Sequence, residues 1–381
     1  MINVVIAGYA RSPFTLANKG ALARVRPDDI AAQVVAALVA RTGVNPNDIE
    51  DLIVGCAFPE GEQGLNVARL IGLLAGLPQS VAGMTVNRFC GSSMQSVHIA
   101  AGQIQLGAGE VFIAAGIESM SRVPMLGFNP LMNPVLQAKL PAAYIGMGDT
   151  AENVAVKWKI SRAEQEAFAL RSQQRAAAAI QAGRFAAEIV PITSKGGTVD
   201  ADGCPRPDTT AAGLAQLKPA FSESGSVTAG TSSPLTDGGS AVLVCSEEYA
   251  AKHGLKPLAR IRSVAVAGCA PEIMGIGPVA ATRKALARAN LEISAIDVVE
   301  LNEAFASQSL ACARDLGIRD ATLNIDGGAI ALGHPLASSG VRLMIQLARQ
   351  FAGQPAVRYG LTTMCVGLGM GGTVLWENLN A

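Results

Sequence analysis

Charge is scarce in this chain of 381 residues: 16% are Asp, Glu, Lys or Arg, and 30 basic side chains cancel 30 acidic ones. No global field therefore favours nucleic acid or an anionic membrane, and an anionic ligand has to be held by a local site. None of the seven cysteines (56, 90, 204, 245, 269, 312 and 365) forms a C-x-x-C pair. That argues against a disulfide framework and a zinc ribbon, and fits a reducing compartment. Apolar runs are broken by Gly or charge before the roughly 18 residues of a membrane span. No basic segment with an apolar run and cleavage site precedes the strand-like start. The expectation is a soluble, cytoplasmic protein without integral membrane association. Neither G-K-[ST] nor G-x-G-x-x-G follows a first strand, so a nucleoside-triphosphate enzyme is not indicated.

Apolar residues are abundant, at 50% of the chain. This suits layered helices and sheets with much buried surface and a subunit interface, so an oligomer is expected. Strand-like 3–7, a helix over about 28–42 begun by Pro27, strand-like 51–56 and a helix near 66–75 make an alternating α/β opening. A strand at 84–89 then runs directly into a helix carrying Met94, Val97, Ala101 and Ile104 on one stripe, with a buried strand at 111–115 beyond. From about 121 the texture changes to Pro, Met and Gly-rich segments, an Ala/Gln/Glu helix over 161–183 and polar turns, which reads as an inserted loop domain. Alternation resumes near 241 and continues to the end. Segments 85–104 and 323–347 each hold a strand, a small-residue turn and a helix, so the two α/β stretches suggest a pseudo-twofold pair with facing turns.

Cys90 stands at a strand-to-helix junction before Gly91, Ser92 and Ser93. Free N–H groups and the positive end of the helix dipole there are expected to lower its pKa and activate it as a nucleophile. A small buried apolar cysteine is the alternative on local grounds. His334 follows Gly327-Gly-Ala-Ile-Ala-Leu-Gly and precedes Pro335, which keeps it in a constrained turn suited to a base or a hydrogen-bond donor. His98, eight residues past Cys90 on one helix, is about 12 Å along the axis and reads as structural. His253, in a polar turn, reads as exposed. Cys365 ends a strand before Gly367-Leu-Gly-Met-Gly-Gly and is open between an acid–base role and a buried strand end. Asn302 and Glu303 open a helix, where Asn is a common N-cap.

At these residues the sequence resembles the thiolase family. The resemblance rests on Val86-Asn-Arg-Phe-Cys-Gly-Ser-Ser-Met94, Gly116-Ile-Glu-Ser-Met-Ser121, Thr228-Ala-Gly230, Asn302-Glu-Ala-Phe-Ala306, the Gly327–Pro335 run and Cys365-Val-Gly-Leu-Gly369, in this order and over nearly the whole chain. It implies a five-layer αβαβα fold of two similar halves, 1–120 with about 236–255 and 256–381, plus a loop domain at 121–235 that covers coenzyme A. It implies that Cys90 takes the acyl group, His334 activates Cys90 and helps bind the thioester oxygen, and Cys365 exchanges a proton with the acetyl carbon or the CoA sulfur. Asn302, through a water, completes one oxyanion hole with His334, and the N–H groups of Cys90 and Gly367 form the other. Arg206 and Ser233 fall at positions that contact CoA, and Met147, with Met125 and Leu126, at the acyl pocket. CoA is then a co-substrate, with acyl-CoA as the other ligand and no tightly bound cofactor or metal. The quaternary expectation is a homodimer or homotetramer, or a complex with a multifunctional β-oxidation α-subunit.

Glu62-Gln-Gly-Leu-Asn-Val-Ala-Arg69 and Arg206-Pro-Asp-Thr-Thr210 look most like the degradative 3-ketoacyl-CoA branch of the family, the bacterial fatty-acid oxidation type. Gly146 precedes Met147 where the biosynthetic branch carries a histidine. Ala337-Ser338 and Asp326, near His334, depart from the family pattern. The competing readings are an acetoacetyl-CoA thiolase running in the condensing direction, a decarboxylating ketoacyl synthase and a silent acyl-CoA-binding protein.

Overall fold

In the computed structural model, residues 2–381 are described. Twelve strands run β1 (Val4–Arg11), β2 (Thr15–Leu16), β3 (Asp51–Gly55), β4 (Ala82–Val86), β5 (Val111–Ser119), β6 (Ile192–Ser194), β7 (Gly197–Val199), β8 (Thr236–Ser246), β9 (Ala259–Gly268), β10 (Val298–Leu301), β11 (Tyr359–Val366) and β12 (Met370–Glu377). β6 and β7 form a separate hairpin; the others join in the order β4-β3-β5-β8-β1-β9-β12-β11-β10, with β2 on β8.

The order contains a repeat. β1 pairs antiparallel with β8, β8 with β5, and β5 lies parallel to β3. In the same way β9 pairs antiparallel with β12, β12 with β11, and β11 lies parallel to β10. β4 beside β3 has its counterpart in one parallel bridge, Val299 to Leu323. The resemblance between 85–104 and 323–347 is therefore topological, although few residues match. Within the sheet the halves are paired at Val5 with Arg260 and Ile6 with Ala259.

Period-two side-chain alternation makes the layers. Val5, Val111, Ile113, Ala241 and Leu243 face outward to Ile30, Val34, Val35 and Leu38 of the Pro27–Thr42 helix and to Val67 and Ile71 of the Val67–Leu74 helix. Ile6, Phe112, Ala114, Val242 and Val244 face the other way, into one cluster with Met364, Val366, Val374 and Trp376 of the second half. Met94, Val97 and Ile104 of the Ser92–Gln105 helix and Val341, Met344 and Ile345 of the Ser339–Gly353 helix fill the space between. Leu361 and Leu375 pack outward on Val279, Leu286, Cys312 and Leu316 of the Gly277–Ala289 and Ala306–Leu316 helices. The result is the expected five layers. Full burial of each large aliphatic side chain contributes about 1.5–3 kcal/mol, which explains near-continuous apolar strands.

Part of the charge buried in this core forms a closed network. Arg11 on β1, 2% exposed, pairs with Glu188 at 2.7 Å and Asp202 at 2.7 Å. Arg349 pairs with Glu188 at 3.4 Å and Asp326 at 2.8 Å, and Arg184 closes on Asp326. Three guanidinium groups thus offset three carboxylates and tie β1 and the Ser339–Gly353 helix to the 184–202 segment. Asp326, the family departure, faces these arginines. Arg349, Gln350 and Arg184 outweigh its burial and hold its carboxyl below the usual range. A depressed folded pKa stabilises above the unfolded value and is lost as pH falls through the folded one. Asp326→Asn is expected to lower unfolding free energy by about 2–3 kcal/mol at pH 7 and to flatten the acid limb of stability, read by denaturant titration at several pH values.

Candidate active site

Both middle helices begin at the same place, because glycines let their first turns sit on strand backbone. A Cβ on Gly55 would stand 2.4 Å from the Ser93 nitrogen, and one on Gly116 2.4 Å from the Ala337 carbonyl oxygen and 2.7 Å from Ser93 Cβ. A Cβ on Gly340 would meet the Met94 nitrogen at 2.5 Å. With these contacts the 3-10 turn Phe89–Gly91, holding Cys90, packs against the turn Leu336–Ser338 that follows His334. Phe89 adopts φ 43°, a left-handed conformation uncommon for an aromatic residue, immediately before the cysteine.

The hairpin joining β11 and β12 closes the site from the second half. Cys365 is buried in β11, and Leu368 and Gly369 take φ 65° and 82° in the tight turn. The Gly367 N–H lies within hydrogen-bonding reach of the Cys90 sulfur, and after burial Cys90 is the largest influence on the Cys365 thiol. Cys365 also shares an apolar cluster with Phe305, Met274 and Met147.

Asn302 follows β10 but does not cap the next helix, which starts at Ala306 behind Phe305. Its buried amide instead accepts from Arg342 Nη2 at 2.9 Å and sets Nδ2 3.4 Å from both ring nitrogens of His334. His334 Nδ1 meets Ser339 Oγ at 2.6 Å, and its backbone N–H donates to Thr236 Oγ1 at 3.0 Å. Ser339 therefore fixes the ring's orientation, which leaves Nε2 for chemistry. Ser339→Ala is expected to lower kcat about 10–100-fold while KM stays within about twofold, as steady-state kinetics would show.

Electrostatics correct one expectation. Burial first, then the Glu118 carboxylate, push the Cys90 thiol up to about 12 against the pull of the Gly367 and Cys90 N–H groups. The helix start does not offset the loss of solvent. Burial, then Arg342, push His334 down to about 3. At neutral pH Cys90 thus rests as a thiol and His334 as an uncharged imidazole. Burial also raises the Cys365 thiol, so it too rests protonated.

Ser233 lies beside this set, its N–H and Oγ both donating to the Ala304 carbonyl at 3.0 and 3.1 Å. Arg206 does not join it: its guanidinium is exposed, with no hydrogen bond or ion pair among the described residues. Met125 and Leu126 are exposed, at 42% and 54%. His253 is exposed and stacks on Tyr249 at 4.1 Å, and His98 is half-buried with its Nε2 unpartnered. Both stand apart from the site, as expected. A cavity of about 1330 Å³ is lined by residues of 18–36 and 193–199 with Leu74, Ala75 and Ser121, and by none of the site residues. Sequence reasoning missed Ser339, Arg342 and Glu118. The signal for Glu118 is a lone carboxylate in the buried strand Val111–Ser119. No group of three or more His, Cys, Asp or Glu among the described residues is placed to hold a metal.

A two-halved α/β protein with a thiol at a helix start, a neutral imidazole and a second thiol at its centre belongs to a class suited to thioester exchange. Residues 4–248 match the thiolase N-terminal domain and 255–378 the thiolase C-terminal domain. A 3-ketoacyl-CoA thiolase of Bacillus subtilis is 47% identical over 390 residues, with 99% of this chain and all of that protein covered. One from Vibrio cholerae is 48% identical over 388 residues, with the same coverage. A crystal structure of the Bacillus anthracis acetyl-CoA acetyltransferase superposes with a TM-score of 0.92 at 40% identity, over 100% of this chain and 99% of that one. The chain is a member of the thiolase family.

Proposed function

We propose that this protein cleaves 3-ketoacyl-CoA with CoA, giving acetyl-CoA and a shortened acyl-CoA, through an acyl thioester on Cys90. What supports it is that Cys90, Cys365 and the Gly367 N–H lie together, and that the Cys90 turn packs on the turn after His334, whose ring lies beside Asn302. The full-length relatives named 3-ketoacyl-CoA thiolase agree with it.

In the first half-reaction Cys90 gives its proton to His334 and its sulfur attacks the 3-keto carbon. The C2–C3 bond breaks, and the electron pair left on C2 takes the proton of Cys365, releasing acetyl-CoA. In the second, the Cys365 thiolate takes the CoA thiol proton and the CoA sulfur attacks the acyl carbon. The shortened acyl-CoA leaves, and Cys90 recovers its proton from His334. Donors aimed at each developing oxyanion supply the barrier reduction: the Cys90 and Gly367 N–H groups in one hole, and His334 with an Asn302-bound water in the other. The low pKa of His334 leaves it neutral in the resting enzyme, as a base that accepts the Cys90 proton requires.

The 121–235 segment is the unit that covers CoA, with Arg206 and Ser233 as contacts and Met147 at the acyl pocket. Support comes from the unpaired Arg206 guanidinium and from Met147 lying against the Cys365 cluster. A cytoplasmic homodimer or homotetramer acting in fatty-acid β-oxidation completes the reading. Exposed Leu65, Leu70, Leu73 and Leu74 precede β4, which is the edge strand of the sheet, and such a face suits a subunit contact. Among the described residues no helix is long and apolar enough to cross a membrane. Mixing purified protein and CoA with acetoacetyl-CoA and longer 3-ketoacyl-CoAs, while following loss of the 3-keto absorbance, tests the reaction. Turnover that increases with chain length beyond four carbons is expected, and no turnover on any length would sink it.

A further inference from the structure

A carboxylate with no ion-pair partner among the described residues lies between the two turns that carry Cys90 and His334. Glu118, on β5, is 1% exposed, and its partners are all N–H donors. Oε2 accepts from the backbone N–H of Ala57 at 3.0 Å and of Ala337 at 3.2 Å, and Oε1 from Gln63 Nε2 at 2.9 Å. Each backbone donor leads to one reactive side chain. The Ala57 carbonyl accepts from Asn87 Nδ2 at 3.0 Å, and Asn87 Oδ1 accepts from the N–H of Phe89, the residue before Cys90, at 2.9 Å. Ala337 lies in the turn Leu336–Ser338, three residues past His334.

We propose that Glu118 is a positioning residue for acyl transfer: one carboxylate oxygen takes the N–H groups of Ala57 and Ala337 together and so fixes the Cys90 turn against the His334 turn. The inference rests on the function proposed above, with Cys90 as acyl acceptor and His334 as its base. A neutral side chain would avoid the desolvation cost of a buried charge, which runs to several kcal/mol without a counter-ion. The charge also disfavours a Cys90 thiolate, being the largest influence on that thiol after burial. A group that is costly in the core and adverse to the nucleophile's ionisation, yet bonded to both reactive turns, has geometry as its use.

The titratable groups facing Glu118 are Cys56, from the end of β3, and Cys90. The 61–63 turn brings Gln63, its neighbour Glu62 being held outward by Arg26 and Arg122, and the 336–338 turn brings only its backbone. Burial pushes the Glu118 carboxyl up to about 7, and the N–H donors limit the rise. The carboxylate form, which makes the clip, therefore prevails above neutrality and is lost as pH falls through that region.

Two reactions of Cys90 separate geometry from thiolate formation: acylation by acetyl-CoA needs the base and oxyanion donors in place, whereas alkylation by iodoacetamide needs only the thiolate. Glu118→Gln keeps the volume and removes the charge. Rates at Cys90, read by peptide mass spectrometry, are expected to fall about 30-fold or more for acylation. Alkylation is expected to be unchanged or several-fold faster. Wild-type acylation is expected to decline as pH drops through about 7, a step absent in Glu118→Gln. Wild-type acylation by the variant, or loss of both reactions in equal proportion, overturns the proposal. If the variant does not fold, the wild-type profile decides, and a flat acylation-to-alkylation ratio between about pH 6 and 8 overturns it. Absence of any wild-type acylation at Cys90 would instead overturn the functional reading, and this one with it.

Discussion

Replacing Cys90 by Ala is expected to reduce turnover of 3-ketoacyl-CoA by about 10⁴-fold or more, with no acyl-enzyme formed, while the protein remains folded. The residue packs at the margin of the central cluster and the substitution removes one sulfur atom, so the cost to the core is small. Its reactivity is contextual. Up to about 12 on burial, the thiol is a poor nucleophile by itself at neutral pH. In the proposed mechanism it ionises as its proton moves to His334, when substrate is present and the oxyanion donors face the carbonyl. A variant with near-normal melting and negligible turnover places the loss in chemistry, whereas a variant with a large fraction of wild-type turnover would remove Cys90 from the mechanism.

The second large effect is at His334. In the proposed mechanism His334→Ala removes the proton acceptor and one oxyanion donor together, and a fall in kcat of about 10³–10⁴-fold is expected, with KM changing much less. The same side chain leaves a mark on stability. Its pKa is lowered from 6.5 to about 3 in the fold. The unfolded chain therefore binds a proton that the folded chain refuses, so stability from this group is complete above about 6.5 and declines as pH falls towards 3. Denaturant titrations of wild type and His334→Ala over that window should show a shallower acid decline in the variant. The catalytic step, by contrast, needs neutral imidazole and should show no acid limb from His334 between pH 5 and 8.

What the sequence revealed is local in origin. Cys90 stood out because a strand runs straight into a helix around it, and His334 and Cys365 because glycine turns flank them; those features need no knowledge of distant residues. The repeat was visible as a strand, turn and helix at 85–104 and again at 323–347, and the sheet order bears it out. Asn302 shows the limit. Its sequence context is that of an N-cap, and only Arg342, forty positions away on the Ser339–Gly353 helix, shows that its amide is turned inward. Ser339 and Glu118 were missed for the same reason, since their partners lie at Nδ1 of His334 and on three separate turns. The direction of the Cys90 pKa was misread because the helix dipole can be inferred from sequence, whereas the extent of burial depends on how the two halves close. Asp326, a departure from the family close to His334 in sequence, proved to face Arg184 and Arg349 instead.

The chemistry follows from this construction. Glycines at 55, 116 and 340 bring two helix starts onto one sheet surface, and the Gly367–Gly369 turn carries Cys365 to the same point. That Cys90 carries the acyl chain is the core of the proposed function. It is tested most directly by mixing the protein with acetoacetyl-CoA in the absence of CoA, quenching in acid and locating any added mass by peptide mass spectrometry. One acetyl group on the Cys90 peptide, removed again by adding CoA, is the predicted result. Acetyl-CoA release with Cys90 unmodified, or the group fixed on Cys365 instead, would contradict it.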